Sequence, residues 1–195
     1  GMARWCRDHH VVSMGHFMEH GSDLFSRQLC AGNFFQLQKY SDMGGIDLVC
    51  QQFYPGQKKL GLWQMAKLGS SVAHAYGKAD DLAMVEIFGA YGQDITYPQM
   101  KWLTDQMHVR GIHFMIPHSF NPKSPRDTDC PPYFYNGGYE PRWPLYRVYA
   151  DYTSRLSLLL TGGRHVCPVA VVFPGQSVHF GNSIRPDEMT NSLDD

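Results

Sequence analysis

Short apolar runs alternate with longer amphipathic stretches along this chain of 195 residues. The short runs are typical of strands buried in a parallel sheet. The longer stretches, with apolar residues three or four positions apart, are typical of helices. The predicted strands are residues 11–17, 46–50, 82–88, 112–118 and 166–173. The predicted helices cover residues 2–8, 22–37, 60–76, 97–110 and 144–160.

This alternation predicts an α/β fold built from right-handed strand–helix–strand units around a parallel sheet. A parallel β/α barrel of the TIM type is the closed form of that arrangement, and it usually needs ~250 residues. With five strands visible, we predict an incomplete barrel over residues 1–174 and a polar tail over residues 175–195.

The third predicted strand carries a single acid, Glu86, near its carboxyl end and is followed at once by a glycine-rich turn containing Gly89 and Gly92. A carboxylate at the carboxyl end of a buried strand is how a β/α barrel presents a catalytic acid to a sugar. The alternative is a buried glutamate held by a neighbouring arginine or amide. Asp94 either caps the next helix, which has Pro98 in its first turn, or reaches substrate, and the cap is the favoured role.

A long stretch without predicted structure, residues 119–143, follows the strand that ends at His118. Loops of this length in compact domains are usually functional or disordered. The loop leaves the same edge of the predicted sheet as Glu86, so a site is expected there, with His118 as a pocket residue. His113 points to the opposite face and is expected to be an interior histidine. Asp47, early in its strand, is either a ligand-binding or a structural acid.

Residues 16–20, His-Phe-Met-Glu-His, match the inverted zinc-protease motif H-x-x-E-H. That motif needs a helix that places both histidines on one face, whereas here a predicted strand precedes it and Gly15 and Gly21 flank it. We therefore predict a loop in which His16 and Glu19 face a pocket, or else a surface loop. A zinc-dependent hydrolase using His16, Glu19 and His20 is the less favoured reading.

The overall composition narrows the function classes. A net charge of −1 argues against nucleic-acid binding. No apolar run reaches the ~18 residues that a membrane span needs, and the amino terminus lacks the apolar segment of a signal peptide. The localisation of the protein is left open.

The five cysteines are widely and irregularly spaced, so neither a zinc knuckle nor a small disulfide framework is expected. Aromatic residues, 13% of the chain, suit sugar stacking or an ordinary core.

Several of these stretches together resemble the bacterial glycoside hydrolases grouped around the α-L-rhamnosidases of family 106 and their uncharacterised relatives. The resemblance spans about residues 4–174, and the blocks around Glu86 and around Pro117-His118 are the most specific. The stretches that carry it are residues 5–9, 15–16, 45–49, 86–93, 100–103, 109–111, 116–120, 143–147 and 150–152.

The resemblance implies a (β/α)8 barrel that hydrolyses glycosidic bonds with two carboxylates. Glu86 matches the acid, and Glu19 is the candidate partner. The implied substrate contacts are His16, Asp47, Tyr91, which would stack on a sugar ring, and His118. Calcium is admitted by analogy with the family and by the preference of hard cations for oxygen ligands. No further cofactor is implied.

Family members are several times longer and are expected to be secreted or periplasmic. This chain resembles strands two to six of the barrel, so the second carboxylate can lie outside it. A carbohydrate is the expected substrate. Exposed strand edges in an incomplete barrel favour a homo-oligomer. A non-catalytic remnant that self-associates or binds carbohydrate is therefore the alternative to an active hydrolase.

Overall fold

The computed structural model describes residues 1–17, 33–56, 64–122 and 130–172. Its described helices are α1 (Met2–Asp8), α2 (Phe34–Gln38), α3 (Met65–Ala75), α4 (Tyr97–His108) and α5 (Trp143–Leu160). Its described strands are β1 (Gly44–Leu48), β2 (Ala83–Ile87) and β3 (Phe114–Pro117). Short 3-10 turns cover Ala79–Asp81 and Asn136–Gly138.

The three strands form a parallel sheet in chain order, β1-β2-β3. The register places Asp47 beside Glu86, and Glu86 beside Ile116. Helix α3 lies between β1 and β2 in the chain, and α4 lies between β2 and β3. The predicted α/β class and parallel pairing are thus confirmed for the three central strands.

Alternating residues of the strands face two different environments, as the pleat of a strand requires. Ile46, Leu48, Val85 and Ile87 belong to the hydrophobic core, together with residues of α3, α4 and α5. Glu86, one position away from two of these, remains partly exposed. The sheet therefore has one face covered by helices and one partly open face, and the register puts Asp47, Glu86 and Ile116 on the open one.

Helix α3 packs very closely on β1 because glycines lie at the contact. A Cβ atom at Gly44 would lie 2.1 Å from the carbonyl oxygen of Gly69, far inside van der Waals distance. A Cβ atom at Gly69 would in turn meet the side chain of Ile46 at 2.9 Å. The two glycines let the backbones of helix and strand touch, which fixes the height of β1 relative to the helix layer.

Helix α4 begins with a capping box formed by Thr96 and Gln99, whereas the sequence predicted a cap at Asp94. The Thr96 hydroxyl accepts a hydrogen bond from the Gln99 backbone N–H, and the Thr96 N–H donates to the Gln99 side chain at 2.8 Å. Pro98 lies in the first turn, as predicted. The prediction that Asp94 caps this helix is wrong, because Thr96 stands immediately before the first helical residue.

The first predicted strand, residues 11–17, does not form a strand, although it lies beside β1. The backbone N–H of Ser13 donates to the Asp42 carboxylate at 2.7 Å. The backbone N–H of Asp42 donates in turn to the Ser13 carbonyl oxygen at 2.7 Å. The amide of Gln38 donates to the carbonyls of both Gly15 and Gly45. Side-chain hydrogen bonds and one backbone hydrogen bond thus tie this segment down in place of a strand ladder.

The last predicted strand is also absent: residues 166–172 follow α5 without strand pairing in the described chain. Val166, Val169, Val171 and Val172 are largely exposed. An apolar run becomes a strand only where a neighbouring strand offers hydrogen-bond partners, and none is paired with it here. The described sheet therefore has three strands rather than five and does not close into a TIM barrel. The predicted tail, residues 175–195, lies outside the described residues.

Helix α5 covers the end of the core with one narrow stripe. Tyr146 and Tyr149 are its buried residues, and Leu145, Val148 and Leu159 point outward.

None of the described helices combines the length and the apolar composition needed to cross a lipid bilayer.

Candidate active site

Three of the predicted site residues meet on the partly open side of the sheet. The Nε2 atom of His16 lies 2.9 Å from a carboxylate oxygen of Glu86, which is hydrogen-bond distance. The Nδ1 atom of the same ring lies 3.9 Å from a carboxylate oxygen of Asp47, close enough for an electrostatic contact only. One imidazole ring therefore bridges two carboxylates.

The fold places each member of this triad by a different backbone contact. Asp47 and Glu86 are register partners on neighbouring parallel strands, so their side chains leave the sheet on the same face at the same height. His16 comes from the segment beside β1, where a Cβ atom at Gly45 would lie 1.8 Å from the Gly15 carbonyl oxygen. This contact between two glycine backbones brings the next residue, His16, over the two acids.

The two carboxylates differ sharply in their access to solvent. The side chain of Asp47 is 4% exposed, that of His16 is 20% exposed and that of Glu86 is 30% exposed. Only Glu86 thus offers a carboxylate that a bound molecule could reach. Asp47 forms the wall behind the imidazole.

His118 stands at the end of β3, next to the turn that follows β2. Its backbone N–H donates to the Ile87 carbonyl oxygen at 2.9 Å. A Cβ atom at Gly89 would lie 3.4 Å from Cγ of His118 and 3.0 Å from the side chain of Val49. The glycine thus makes room for the imidazole at the carboxyl edge of the sheet, the edge where the sequence analysis places it.

Tyr91 occupies a different environment from the one expected of a stacking residue. Its ring belongs to the hydrophobic core, and its hydroxyl donates to the Phe53 carbonyl oxygen at 2.8 Å. Burial raises the pKa of Tyr91 well above its ordinary value. The ring ties the loop after β1 to the turn after β2, and it is not presented to solvent.

Glu19, the proposed second carboxylate, lies outside the described residues, as does His20. The zinc-protease motif thus lies only partly within the described residues. Its first member, His16, is engaged with Glu86 and Asp47.

A polar brace, which was not predicted from the sequence, ties two loops together at Gln93, Glu140 and Arg142. Arg142 donates to the carboxylate of Glu140 at 2.7 Å and to the backbone oxygens of Gln93 and Ile95. The Gln93 side chain accepts from the Tyr133 N–H at 2.8 Å and also contacts Glu140. Burial alone would raise the pKa of Glu140, but its hydrogen bonds to Arg142 outweigh burial and lower it.

The brace joins the turn after β2 to the long loop after β3. No local pattern marks it, since Glu140 and Arg142 lie in a segment that reads as irregular. The signal that could have found it is compositional: an acid and an arginine lie two residues apart within residues 130–143, which are otherwise uncharged and rich in aromatic residues.

The triad is also a cluster that could hold a metal ion. One ligand atom from each of His16, Asp47 and Glu86 lies within 4.8 Å of the others. Calcium fits this set poorly, because Ca²⁺ takes six to eight oxygen ligands and one of the three donors here is an imidazole nitrogen. The calcium admitted by family analogy is therefore not supported by these residues.

Comparison with known proteins gives a likeness of fold. No family model matches the sequence, and no curated protein matches it. Among solved structures, a rhamnosidase from Novosphingobium sp. PP1Y superposes with a TM-score of 0.62 and 19% sequence identity. The match covers 84% of this chain and 15% of that chain. The relationship is thus a distant, rhamnosidase-like one of fold, and this chain spans only a small part of that protein's length.

Proposed function

We propose that this chain supplies the acid side of a glycoside hydrolase active site, with Glu86 as the general acid. The observation that carries the proposal is the 2.9 Å hydrogen bond between His16 and the partly exposed carboxylate of Glu86. The fold likeness to a rhamnosidase supports the reaction class, and α-L-rhamnosides are the first substrates to test.

In this proposal the three triad residues have separate roles. Glu86 gives a proton to the oxygen of the departing sugar, and the carboxylate left behind accepts a hydrogen bond from Nε2 of His16. Asp47 is a positioning residue, because its buried carboxylate orients the His16 ring and does not reach the substrate. His118, at the same edge of the sheet, contacts sugar hydroxyls.

The second catalytic carboxylate must come from elsewhere. The paired carboxyl groups of glycosidases flank the sugar, ~5–5.5 Å apart in retaining enzymes and ~6.5–9.5 Å apart in inverting ones. Asp47 and Glu86 stand side by side on one wall, and Asp47 is buried, so a sugar ring cannot lie between them. Glu19 remains the candidate within this chain. A further β/α unit completing a barrel around residues 1–174 is the other source.

The test is hydrolysis of an aryl-glycoside panel led by α-L-rhamnoside, in buffer containing EDTA. We expect Glu86→Gln to lower kcat/KM by at least ~100-fold, since general acid catalysis contributes ~10²–10⁴-fold. The matched control is Asp80→Asn, which removes an exposed carboxylate from the turn before β2. A wild-type turnover that Glu86→Gln leaves intact would remove Glu86 as the acid.

A second candidate function, carbohydrate binding without hydrolysis, is favoured by the incomplete sheet. On its outer side β3 has no strand partner among the described residues, and an unpaired edge promotes self-association. We expect such a protein to be silent on the whole panel, to bind rhamnose in NMR titrations, and to elute as a dimer in light-scattering chromatography. A catalytically silent monomer that binds no sugar would contradict both candidates.

A further inference from the structure

We propose that His16, Asp47 and Glu86 form a binding site for a borderline divalent cation of the zinc class, with calcium excluded. The proposal rests on the donor set and the geometry of the triad. Binding itself does not depend on the hydrolase function proposed above. Its consequence for hydrolysis does.

The spacing of the donor atoms is close to that of a coordination shell. Zinc binds imidazole nitrogen at ~2.0–2.1 Å and carboxylate oxygen at ~2.0–2.2 Å, so neighbouring donors in a tetrahedron lie roughly 3.3 Å apart. The His16–Glu86 contact is 2.9 Å, and all three ligand atoms lie within 4.8 Å of one another. Side-chain shifts of about 1 Å would bring them to metal distance.

The burial pattern suits such a site. Asp47 is fixed in the sheet and nearly inaccessible, so it supplies a rigid first ligand. His16 and Glu86 keep part of their surface in solvent, which leaves their side chains room to adjust and leaves the cation a path of entry. The exposed side also leaves space for water as a fourth ligand, as in zinc sites that keep an open position.

The chemistry of the donors selects the metal. Imidazole suits zinc, copper, cobalt and nickel, whereas calcium and magnesium prefer shells made only of oxygen. A set of one imidazole and two carboxylates therefore ranks zinc far above calcium. This ordering is the reverse of the one that family analogy implies.

Metal binding and acid catalysis would exclude each other at this site. A cation on Nε2 of His16 and on the carboxylate of Glu86 would occupy the electron pairs that the hydrogen bond between these two groups now uses. The loaded protein would have no proton to give from Glu86. Under the proposed function, zinc is therefore an inhibitor and chelation restores turnover.

The experiment is isothermal titration calorimetry of EDTA-stripped protein with Zn²⁺ and, separately, with Ca²⁺. We expect one Zn²⁺ per chain and at least 100-fold weaker Ca²⁺ binding. Replacement of Zn²⁺ by Co²⁺ should give visible absorption bands from the bound cobalt. These readouts need no catalytic activity, so they stand even if the panel is silent.

Four variants locate the site, each first checked for a wild-type unfolding transition. His16→Gln and Glu86→Gln should each weaken Zn²⁺ binding at least tenfold, and His16→Gln should shift the cobalt bands. His10→Asn, which removes an exposed histidine of the same segment, should change neither. His20→Gln separates this site from the H-x-x-E-H motif and should also leave binding unchanged.

Three results would overturn the proposal. They are the absence of stoichiometric Zn²⁺ binding, Ca²⁺ binding as tight as Zn²⁺ binding, and loss of binding in His20→Gln with full binding in Glu86→Gln. Asp47→Asn adds support where it folds, but the two partly exposed positions decide the outcome.

Discussion

The two faces of the β1–β3 sheet carry residues that alternate along the same strands, yet they do different work. On the covered face, Val85 and Ile87 are fully buried against helices. On the other face, Glu86 stands between them in sequence and reaches solvent beside His16. All-parallel sheets usually have both faces covered, so a partly open polar face is the unusual one. Residues that stabilise the core and the residue proposed for the chemistry are thus direct neighbours in the sequence.

The sharpest test of this separation is Ile87→Ala on the covered face. Removing most of a fully buried side chain should lower the free energy of unfolding by about 2–5 kcal/mol, because apolar contacts are lost and a cavity remains. Urea unfolding followed by circular dichroism measures it. A loss below about 1 kcal/mol would mean that the helix layer does not hold the sheet as described.

Gly45→Ala tests the contact that brings His16 to the open face. The added methyl group would meet the Gly15 carbonyl oxygen at 1.8 Å and the Met84 sulfur at 2.8 Å, so backbone must move. We expect a loss of about 1–3 kcal/mol in unfolding free energy, and a displaced His16 ring in NMR spectra. Gly163→Ala, where a Cβ atom meets nothing within 4 Å, is the matched control.

Glu140→Gln tests the loop brace that frames the open face. Its carboxylate binds Arg142, so we expect a loss of about 2 kcal/mol near pH 7. The pKa of Glu140 is lowered in the folded protein, so its contribution is present above the unfolded value of about 4.3. As the pH falls through the folded pKa, the difference between wild type and variant should shrink. A constant difference down to pH 2 would contradict the ion pair.

The lowered pKa values of three histidines predict how the stability of the protein changes in acid. Burial lowers the pKa of His74, His108 and His113. The unfolded chain then binds protons that the folded chain does not, so stability should fall as the pH drops below about 6.5. His108→Gln should flatten this fall, because His108 is the most buried of the three. A slope equal to that of the wild type would show that His108 does not contribute.

The smallest effect is expected from Glu86→Gln, the neighbour of Ile87 on the opposite face. A partly exposed ion pair contributes ~0–1 kcal/mol, so the unfolding free energy should change by less than about 1 kcal/mol. The same variant is expected to abolish turnover and to weaken metal binding. A loss of unfolding free energy comparable to that of Ile87→Ala would show that the two faces do not differ in their contribution to stability.

The sequence predicted the centre of the molecule well. Three apolar runs became β1, β2 and β3 with boundaries shifted by one or two residues, and helix α5 begins one residue before its predicted start. These elements are fixed by local periodicity and by turn residues, which a single sequence displays. The runs at 11–17 and 166–173 were misjudged because pairing depends on a neighbour that a run does not encode.

The sequence predicted which residues belong to the candidate site, but it did not predict how they are arranged. The position of Glu86 in its strand could be read directly, but its pairing with Asp47 depends on the register between strands. The resemblance implied that Tyr91 stacks on a sugar ring, whereas its hydroxyl donates to the distant backbone oxygen of Phe53. The brace of Glu140 and Arg142 depends likewise on contacts across more than forty residues.

The order of the site residues along the chain has a consequence for how the protein could be divided. His16, Asp47 and Glu86 lie on three successive segments, all of which precede the end of β2 at Ile87. Helices α4 and α5, which complete the core, come entirely afterwards. A chain cut after β2 would carry every member of the triad and lack much of its support. Supplying the second piece separately would therefore restore the site by complementation, with no new site residue added.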